Sequence, residues 1–229
     1  VMNWNEILQA QGAEFDRHLI RSFGDASAEL AALEQKTVIS PLTQYGLIRF
    51  SGEESQPFLQ GQLSSDIRAL TQSQAQFSSY STPKGRMLAS FLISRQGDDY
   101  LLQIDAELQA AIQKRLAMFV MRSKTKASDA NGELVQIGVA GPTARASIEQ
   151  LFTSAPAAFE VQHFANASVI GLEEARFQIM ASPEAMISLW QQLIANGAVA
   201  AGTPVWQLTE IRAGSPWITP ATQEAFVPQ

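Results

Sequence analysis

The chain of 229 residues carries a formal net charge of −6 and contains no cysteine. Hydrophobic residues make up 46% and charged residues 17%, which is typical of a globular protein and argues against disorder. Disulfides, thiolate metal sites and a cysteine nucleophile are therefore excluded within these residues. A chain of this charge binds a polyanion only through a local patch.

Residues 1–36 are predicted to be helical. Asn3 or Asn5 is expected to cap the first helix, and Ser27 is expected to cap the segment SAELAALEQ, in which leucines recur at helical spacing. Pro41 then interrupts the chain, and the pattern beyond it changes from helical to strand-like.

From Tyr45 the sequence predicts a strand (GLIRF), a short helix (EESQPFLQGQL) and then three strands (FSSYST, MLASFLIS and YLLQI). The turns PKG and QGDD are short enough to join these three strands into an antiparallel meander. Asp105 can cap the helix that follows, because apolar residues recur behind it with a period near 3.6.

The second half of the chain repeats this order of elements. A strand (LVQIGVA) precedes a helix opened by Gly141-Pro142, and three strands follow (FEVQHF, ASVIG and ARFQIMA). The last helix begins at Pro183 and is closed by Gly197. Gly52 and Gly141 occupy matching positions, so we predict two related α+β domains, packed closely because no Gly/Ser linker separates them.

Residues that could carry enzymatic chemistry are few. The acidic pairs Glu53-Glu54, Asp98-Asp99 and Glu173-Glu174 fall at a helix start and in two hairpin turns, where a structural reading is favoured over catalysis. His18 and His163 are far apart in sequence, so no metal site is predicted. The sequence also contains no G-x-S-x-G nucleophile elbow and no phosphate-binding glycine loop.

The basic residues fall into two groups, each with two possible readings. One group flanks the glycine of the first hairpin, and the other follows the helix that ends near Met121; the members are Lys84, Arg86, Arg122, Lys124 and Lys126. They could be a solvated turn and a complement to a helix C-terminus. They could also bind an anion, since ammonium and guanidinium groups suit carboxylates and phosphates, but composition alone favours the structural reading.

Five motifs carry a resemblance to a known family. They are GQLSSDI (61–67), YSTPKGRMLASFLI (80–93), MRSKTKASD (121–129), GVAGP (138–142) and IRAGSPWITPATQEAFVPQ (211–229). Together they resemble the YgfZ-type branch of the glycine-cleavage T-protein (aminomethyltransferase) superfamily. The resemblance covers about residues 38–229, in the family's order and spacing.

The resemblance implies two related, closely packed α+β domains with antiparallel sheets and helices, the T-protein folate-binding fold. It places the first folate-binding domain at 1–130, with 204–229 packing back onto it, and the second related domain at 131–203. The family's third domain, a C-terminal β-barrel, is missing. The motif K-G-C-[YF]-x-G-Q-E, which normally follows FVPQ, is absent too, so we expect the chain to be a fragment of a longer protein.

The resemblance also implies a function. YgfZ-type proteins bind tetrahydrofolate or a derivative and, without being enzymes, support the assembly or repair of iron–sulfur proteins and tRNA modification. The expected partners are folate and iron–sulfur client proteins, with no direct contact to nucleic acid or membrane. No apolar run approaches the roughly 18 residues that cross a bilayer, and the N-terminus is not a secretory signal. Cytoplasmic residence is therefore expected.

Two departures from the T-protein pattern bear on activity. Aligned at Gly85, the aspartate pair of T-proteins falls on Ala89 and Ser90, neither of which can act as a carboxylate base. The glutamate that can bind the pterin in T-proteins is replaced by Arg212. These departures count against the alternative function, a folate-dependent one-carbon (aminomethyl) transferase. A third reading, an interaction module with an empty folate pocket, stays open.

The candidate folate-binding residues lie in these motifs, except Gln103 and Glu210. They are Asp66, Lys84, Gly85, Arg86, Met87, Gln103, Arg122, Lys124, Glu210 and Arg212. Glu210 is included because pterin recognition must use a group other than the family's glutamate. Lys84 and Arg86 are expected to offer charge to the folate glutamate tail, with Gly85 supplying the positive φ of the turn. No catalytic residue and no metal ligand is predicted.

Overall fold

A computed structural model describes residues 3–228. The helices of this part of the chain are α1 (Trp4–Ala10), α2 (Ala26–Gln35), α3 (Ser55–Gln62), α4 (Ala106–Val120), α5 (Ala144–Phe152), α6 (Pro183–Ala195) and α7 (Thr203–Arg212). The strands are β1 (Glu14–Asp16), β2 (Leu19–Ser22), β3 (Val38–Pro41), β4 (Tyr45–Ser51), β5 (Gln76–Ser81), β6 (Met87–Gln96), β7 (Asp99–Asp105), β8 (Lys126–Asp129), β9 (Val135–Ala140), β10 (Val161–His163), β11 (Ser168–Gly171), β12 (Phe177–Ala181) and β13 (Val199–Ala200).

The contacts divide the chain into two units. The six-strand unit contains the residues up to Gln44 together with Gly132–Ser215, and its sheet has the order β10-β11-β12-β9-β3-β13. The five-strand unit contains Tyr45–Asn131 and the chain from Pro216 onward, and its sheet has the order β5-β6-β7-β4-β8. All strand pairs in the two sheets are antiparallel except β13 with β3.

This division differs from the predicted domain ranges at the N-terminal side. Residues 3–44 group with the second repeat and not with the first, because β3 pairs along β9 from Val38 opposite Ala140 to Pro41 opposite Ile137. Of the predicted returning segment 204–229, the part in α7 belongs to the six-strand unit. Val1, Met2 and Gln229, at the ends of the predicted ranges, lie outside the described residues.

The predicted repeat is visible in the topology. The order β4-α3-β5-β6-β7-α4 in one unit matches β9-α5-β10-β11-β12-α6 in the other. The four shared strands also lie side by side in the same order, β5-β6-β7-β4 and β10-β11-β12-β9. The predicted cap at Asp105 is confirmed, since its side chain accepts a hydrogen bond from the N–H of Glu107, and Ser182 caps α6 in the same way.

The prediction of continuous helix over residues 1–36 is wrong between the first and second helices. Asn3 and Glu6 form a capping box on α1, but Gly12, at φ 93°, turns the chain into the β1–β2 hairpin. Asp25 caps α2 in place of the predicted Ser27. The hairpin is favoured because the alternation at Ile20 and Ser22 buries one side of β2.

Each sheet buries one face under helices. In the five-strand unit the core contains Ile48, Phe50, Phe91 and Leu102 from the strands, with Leu116 from α4. In the six-strand unit the equivalent face packs against α5 and α6, and its members include Val139, Phe177, Ile179, Ile148 and Trp190. Because strand side chains alternate, the remaining residues of these strands point to a second face of each sheet.

Candidate functional site

The second face of the five-strand sheet carries a buried amide without a partner. Gln103 on β7 lies between Leu92 of β6 and Leu47 of β4 in the strand register. Its residue surface is 2% exposed, and neither atom of its side-chain amide has a hydrogen-bond partner among residues 3–228. A buried polar group left in this state costs about 1–3 kcal/mol, so native proteins rarely keep one without a use.

Aromatic rings frame this amide. Tyr45 and Phe77 share the second face with Gln103, because Phe77 pairs with Leu92 and Tyr45 lies two residues before Leu47 on β4. The ring of Trp217 has its centroid 4.4 Å from that of Tyr45 and 5.8 Å from that of Phe77. The segment from Pro216 therefore crosses this face of the sheet and brings an indole beside it.

The two positions that replace the T-protein aspartates point to opposite faces. Ala89 pairs with Tyr80 and is fully buried in the helix-covered core. Ser90 lies on the second face, where its Oγ accepts a hydrogen bond of 2.9 Å from the backbone N–H of Ile218. The only polar group at these two positions thus holds the crossing segment in place.

The tip of the β5–β6 hairpin forms the predicted turn. Gly85 has φ 77°, and its N–H donates to the carbonyl of Thr82 at 2.9 Å. Lys84 and Arg86 are exposed, and Arg86 Nη1 lies 3.5 Å from the carbonyl oxygen of Ala225. This geometry leaves both cations accessible to an anion.

The backbone of Met87 pairs with the C-terminal part of the five-strand unit. Its N–H donates to the carbonyl of Phe226 at 2.9 Å, and its carbonyl accepts from the N–H of Glu224 at 2.8 Å. Gln223 Nε2 also donates to the carbonyl of Leu88 at 2.9 Å. The segment that carries Trp217 is thus fixed to the sheet at two places, Ser90 and Met87.

Three further predicted site residues of this unit are engaged elsewhere or exposed. Asp66 accepts a hydrogen bond of 3.2 Å from the N–H of Arg68 and so caps the short 3₁₀ turn behind it. Lys124 Nζ lies 2.6 Å from Glu53 Oε1, in an exposed ion pair at the start of α3. Arg122 is exposed after the end of α4.

The last two predicted site residues, Glu210 and Arg212, belong to the six-strand unit. Glu210 is buried and accepts a hydrogen bond of 2.9 Å from Trp206 Nε1. Arg212 forms an ion pair of 2.6 Å with Glu34 of α2. The arginine that replaces the family's glutamate is therefore held at the surface by a carboxylate of its own unit.

The sequence did not single out several polar and aromatic residues that the structure buries. The carbonyl oxygens of Gln136 and Gln178, both on the second face of the six-strand sheet, lack partners within the described chain, as do both amide atoms of Gln44. Tyr45 and Trp217 were likewise missed as neighbours of Gln103. A glutamine inside an otherwise apolar strand, as in VQIGV and RFQIM, is the signal that could have found the polar positions on the strands.

The comparisons with known proteins agree on one family. The model of the GCVT N-terminal domain matches residues 13–205, which is most of the chain. The chain belongs to this family. It is 30% identical over 209 residues to the tRNA-modifying protein YgfZ of Colwellia psychrerythraea, covering 89% of this chain and 63% of that protein. It is 29% identical over 196 residues to the YgfZ protein of Sodalis glossinidius, covering 84% of this chain and 59% of that protein.

These matches confirm the predicted YgfZ-type membership and the α+β fold. The crystal structure of the glycine cleavage system aminomethyltransferase T from Bartonella henselae superposes with a TM-score of 0.76 at 16% identity, over 86% of this chain and 58% of that one. The chain thus spans about three fifths of the length of the relatives it matches.

Two classes of site find no support in residues 3–228. No group of three or more histidine, aspartate or glutamate side chains is placed to hold a metal ion. Within the same residues, every helix is too short or too polar to span a bilayer. The second face of the five-strand sheet remains the strongest candidate site.

Proposed function

We propose that this chain is the folate-binding part of a YgfZ-type protein and that the second face of its five-strand sheet receives the pterin of tetrahydrofolate or a derivative. The observation that carries the proposal is the buried amide of Gln103, which has both a donor and an acceptor without partners. A ligand with a matching donor and acceptor would satisfy both atoms at once.

The chemistry of a pterin fits this arrangement. Its aminopyrimidinone edge presents N–H donors beside a carbonyl acceptor, which complements a side-chain amide. The flat ring offers a π-face for stacking on an indole, and Trp217 lies on the same side of the sheet. When bound, tetrahydrofolate supplies ring nitrogens that carry one-carbon units.

The basic hairpin tip suits the glutamate tail of folate. The folate tail ends in glutamate carboxylates, and Lys84 and Arg86 are exposed cations on the same unit as Gln103. We assign Arg122 and Lys124 a lesser part in binding, since Lys124 is already paired with Glu53.

We propose a non-enzymatic activity for the whole protein. A base for aminomethyl transfer is not available at Ala89 or Ser90, and Ser90 already accepts the N–H of Ile218. The relatives are named tRNA-modifying proteins. We infer that this chain supports tRNA modification indirectly, by helping to assemble or repair iron–sulfur client proteins, since a net charge of −6 disfavours direct binding of RNA.

A fluorescence titration with tetrahydrofolate tests the folate proposal. Binding should quench the emission of the wild-type protein, and the variant Trp217→Phe should lose most of that quenching while Trp190→Phe keeps it, because Trp190 lies in the helix-covered core. Separate titrations with a pterin and with p-aminobenzoylglutamate distinguish ring from tail recognition. Absence of quenching by every compound at millimolar concentration would reject the proposal.

A further inference from the structure

The outer face of α4 and the turn after it expose an unusual amount of apolar surface. Met118 is 67% exposed, Phe119 50% and Met121 85%. Towards the N-terminus of α4 the outer face that carries Met118 continues with exposed alanines, among them Ala111 and Ala117, whereas Phe119 extends the stripe of Ile112 and Leu116 beyond the end of the core. Isolated apolar residues on a surface need no explanation, but neighbouring ones mark an interaction site.

Two cations border this apolar surface without partners in the described part of the chain. Lys114 lies one turn before Met118 on α4, and Arg122 follows Met121 directly; both are exposed, and neither has an ion pair or hydrogen bond. Phe119, Met121 and Arg122 also line a shallow groove of about 520 Å³. We call Lys114, Met118, Phe119, Met121 and Arg122 the Met118 patch.

The backbone of the Met118 patch is strained. Met121 ends α4 with φ 41° and ψ −97°, a conformation that glycine adopts easily and a side chain with a Cβ does not. Glycine or asparagine usually stands where a helix ends with positive φ. The chain therefore keeps a large, exposed methionine at a position where folding alone favours glycine.

We propose that the Met118 patch docks an amphipathic helix of a partner protein, one that carries large apolar side chains on one face and carboxylates along its flanks. Exposed alanines let another helix approach closely, and unbranched methionines adapt to different apolar side chains. The unpaired Lys114 and Arg122 supply the charge complementarity that selects carboxylates. None of the patch residues lies on the second face of the sheet, and Arg122 is the one member that is also assigned a lesser part in folate binding.

The charges around the patch favour a protein partner over RNA or a membrane. Glu54 lines the same groove, and Glu53 neutralises the nearby Lys124. A phosphate backbone or an anionic bilayer presents a continuous array of negative charge, which these carboxylates repel. A helix with separated carboxylates can instead meet the two free cations and leave Glu54 in water.

Binding of designed peptides to the full chain tests this inference. Three helical peptides share one leucine face and carry glutamate, glutamine or lysine along both flanks. The glutamate peptide should bind the wild-type protein about tenfold or more tightly than the lysine peptide. The double variant Lys114→Glu/Arg122→Glu should invert that preference, and Met118→Glu should weaken all three peptides. Ile211→Glu is the matched control, since Ile211 is 76% exposed on α7 and outside the patch.

Several outcomes would overturn the inference. Equal binding of the three peptides to wild type and to Met118→Glu would do so, as would an equal loss with Ile211→Glu. Phosphatidylglycerol vesicles and a transfer RNA serve as competing probes. If either binds the wild-type protein more tightly than the glutamate peptide and loses that binding in Met118→Glu, the partner is a membrane or an RNA. Unchanged melting temperatures of the variants confirm that each change acts on binding and not on folding.

Discussion

The second faces of the two sheets are covered by different elements. In the six-strand unit, α7 lies on that face with Trp206 packed against Gly138, and a side chain at Gly138 would collide with the indole. In the five-strand unit, a non-helical segment crosses the face and brings Trp217 beside Gln103. Both faces keep polar side-chain atoms without partners, but a helix covers one face and a non-helical segment crosses the other.

The glutamines on the two faces also differ in how many of their amide atoms lack a hydrogen-bond partner. In the six-strand sheet only the carbonyl oxygens of Gln136 and Gln178 lack partners, whereas Gln103 lacks a partner for both amide atoms. Gln109, another buried glutamine of the same unit, has hydrogen-bond partners for both amide atoms. Gln109 donates to the carbonyl of Leu47 at 3.0 Å and accepts from Asn131 at 2.7 Å. Gln103 therefore differs from Gln109, whose amide is satisfied within the same unit.

The largest expected effect is a loss of stability when Trp206 is removed from the second face of the six-strand sheet. Trp206→Ala removes a fully buried indole from between Gly138 and the guanidinium of Arg176, whose Cζ lies 5.4 Å from the ring centroid. We expect the free energy of unfolding to fall by about 3–5 kcal/mol, measured by urea denaturation. Folate affinity should be unchanged in the fraction that remains folded. A loss below about 1 kcal/mol would mean that α7 does not hold this face.

A smaller loss of stability is expected from a substitution that tests the close contact between Gly138 and Trp206. Gly138→Ala forces Trp206 or the strand to move, and overpacking of this kind costs about 1–3 kcal/mol. Gly61→Ala is the control, because a Cβ at Gly61 in α3 meets no neighbouring atom. That change should stabilise the protein by about 0.5–1 kcal/mol. Equal effects of the two variants would contradict the packing described for α7.

On the second face of the five-strand sheet, Trp217 should contribute to both binding and stability. Trp217→Ala removes a half-buried indole, and we expect a loss of about 1–2 kcal/mol in stability. Tetrahydrofolate affinity should fall about tenfold, the size typical of losing a stacked ring. Calorimetric titration gives the affinity and thermal denaturation the stability. Full affinity in Trp217→Ala would remove this residue from the proposed site.

The smallest effect concerns the hairpin tip. Arg86→Ala should weaken tetrahydrofolate binding by about fivefold or less at low salt, because an exposed ion pair contributes little. The loss should shrink as salt is added, since exposed charges are screened. Arg68→Ala, which removes another exposed cation of the same unit, should leave the affinity unchanged. A clear drop in the melting temperature of Arg86→Ala would instead give this residue a structural part.

The repeat and most of its elements could be predicted because they depend on local signals. Gly52 and Gly141 both have positive φ and sit at matching turns, and caps such as Asp105 act within one helical turn. The β1–β2 hairpin was missed because its short strands carry little pattern of their own. The grouping of β3 with β9 depends on pairing across about a hundred residues, which no local pattern encodes.

The candidate site was less predictable than the fold. The motif around Gly85 located the basic tip, but the surroundings of Gln103 depend on where the chain returns after α7. Trp217 is far from Tyr45 in sequence, and only the tertiary structure brings the two rings to 4.4 Å. The ion pair of Arg212 with Glu34 likewise joins residues far apart in sequence, and no local pattern indicates it.

The most direct test of the account compares two buried glutamines of one unit. Gln103→Leu should raise the free energy of unfolding by about 1–3 kcal/mol, because it removes an unsatisfied polar group, and should weaken tetrahydrofolate binding at least about tenfold. Gln109→Leu should lower stability by a similar amount, because it leaves Nδ2 of Asn131 without its acceptor and removes one of the two N–H donors to the Leu47 carbonyl. Affinity should be unchanged. Stability and affinity would be measured on both variants by urea denaturation and calorimetric titration. Loss of stability in Gln103→Leu, with tetrahydrofolate affinity intact, would contradict the claim that this amide is kept for a ligand.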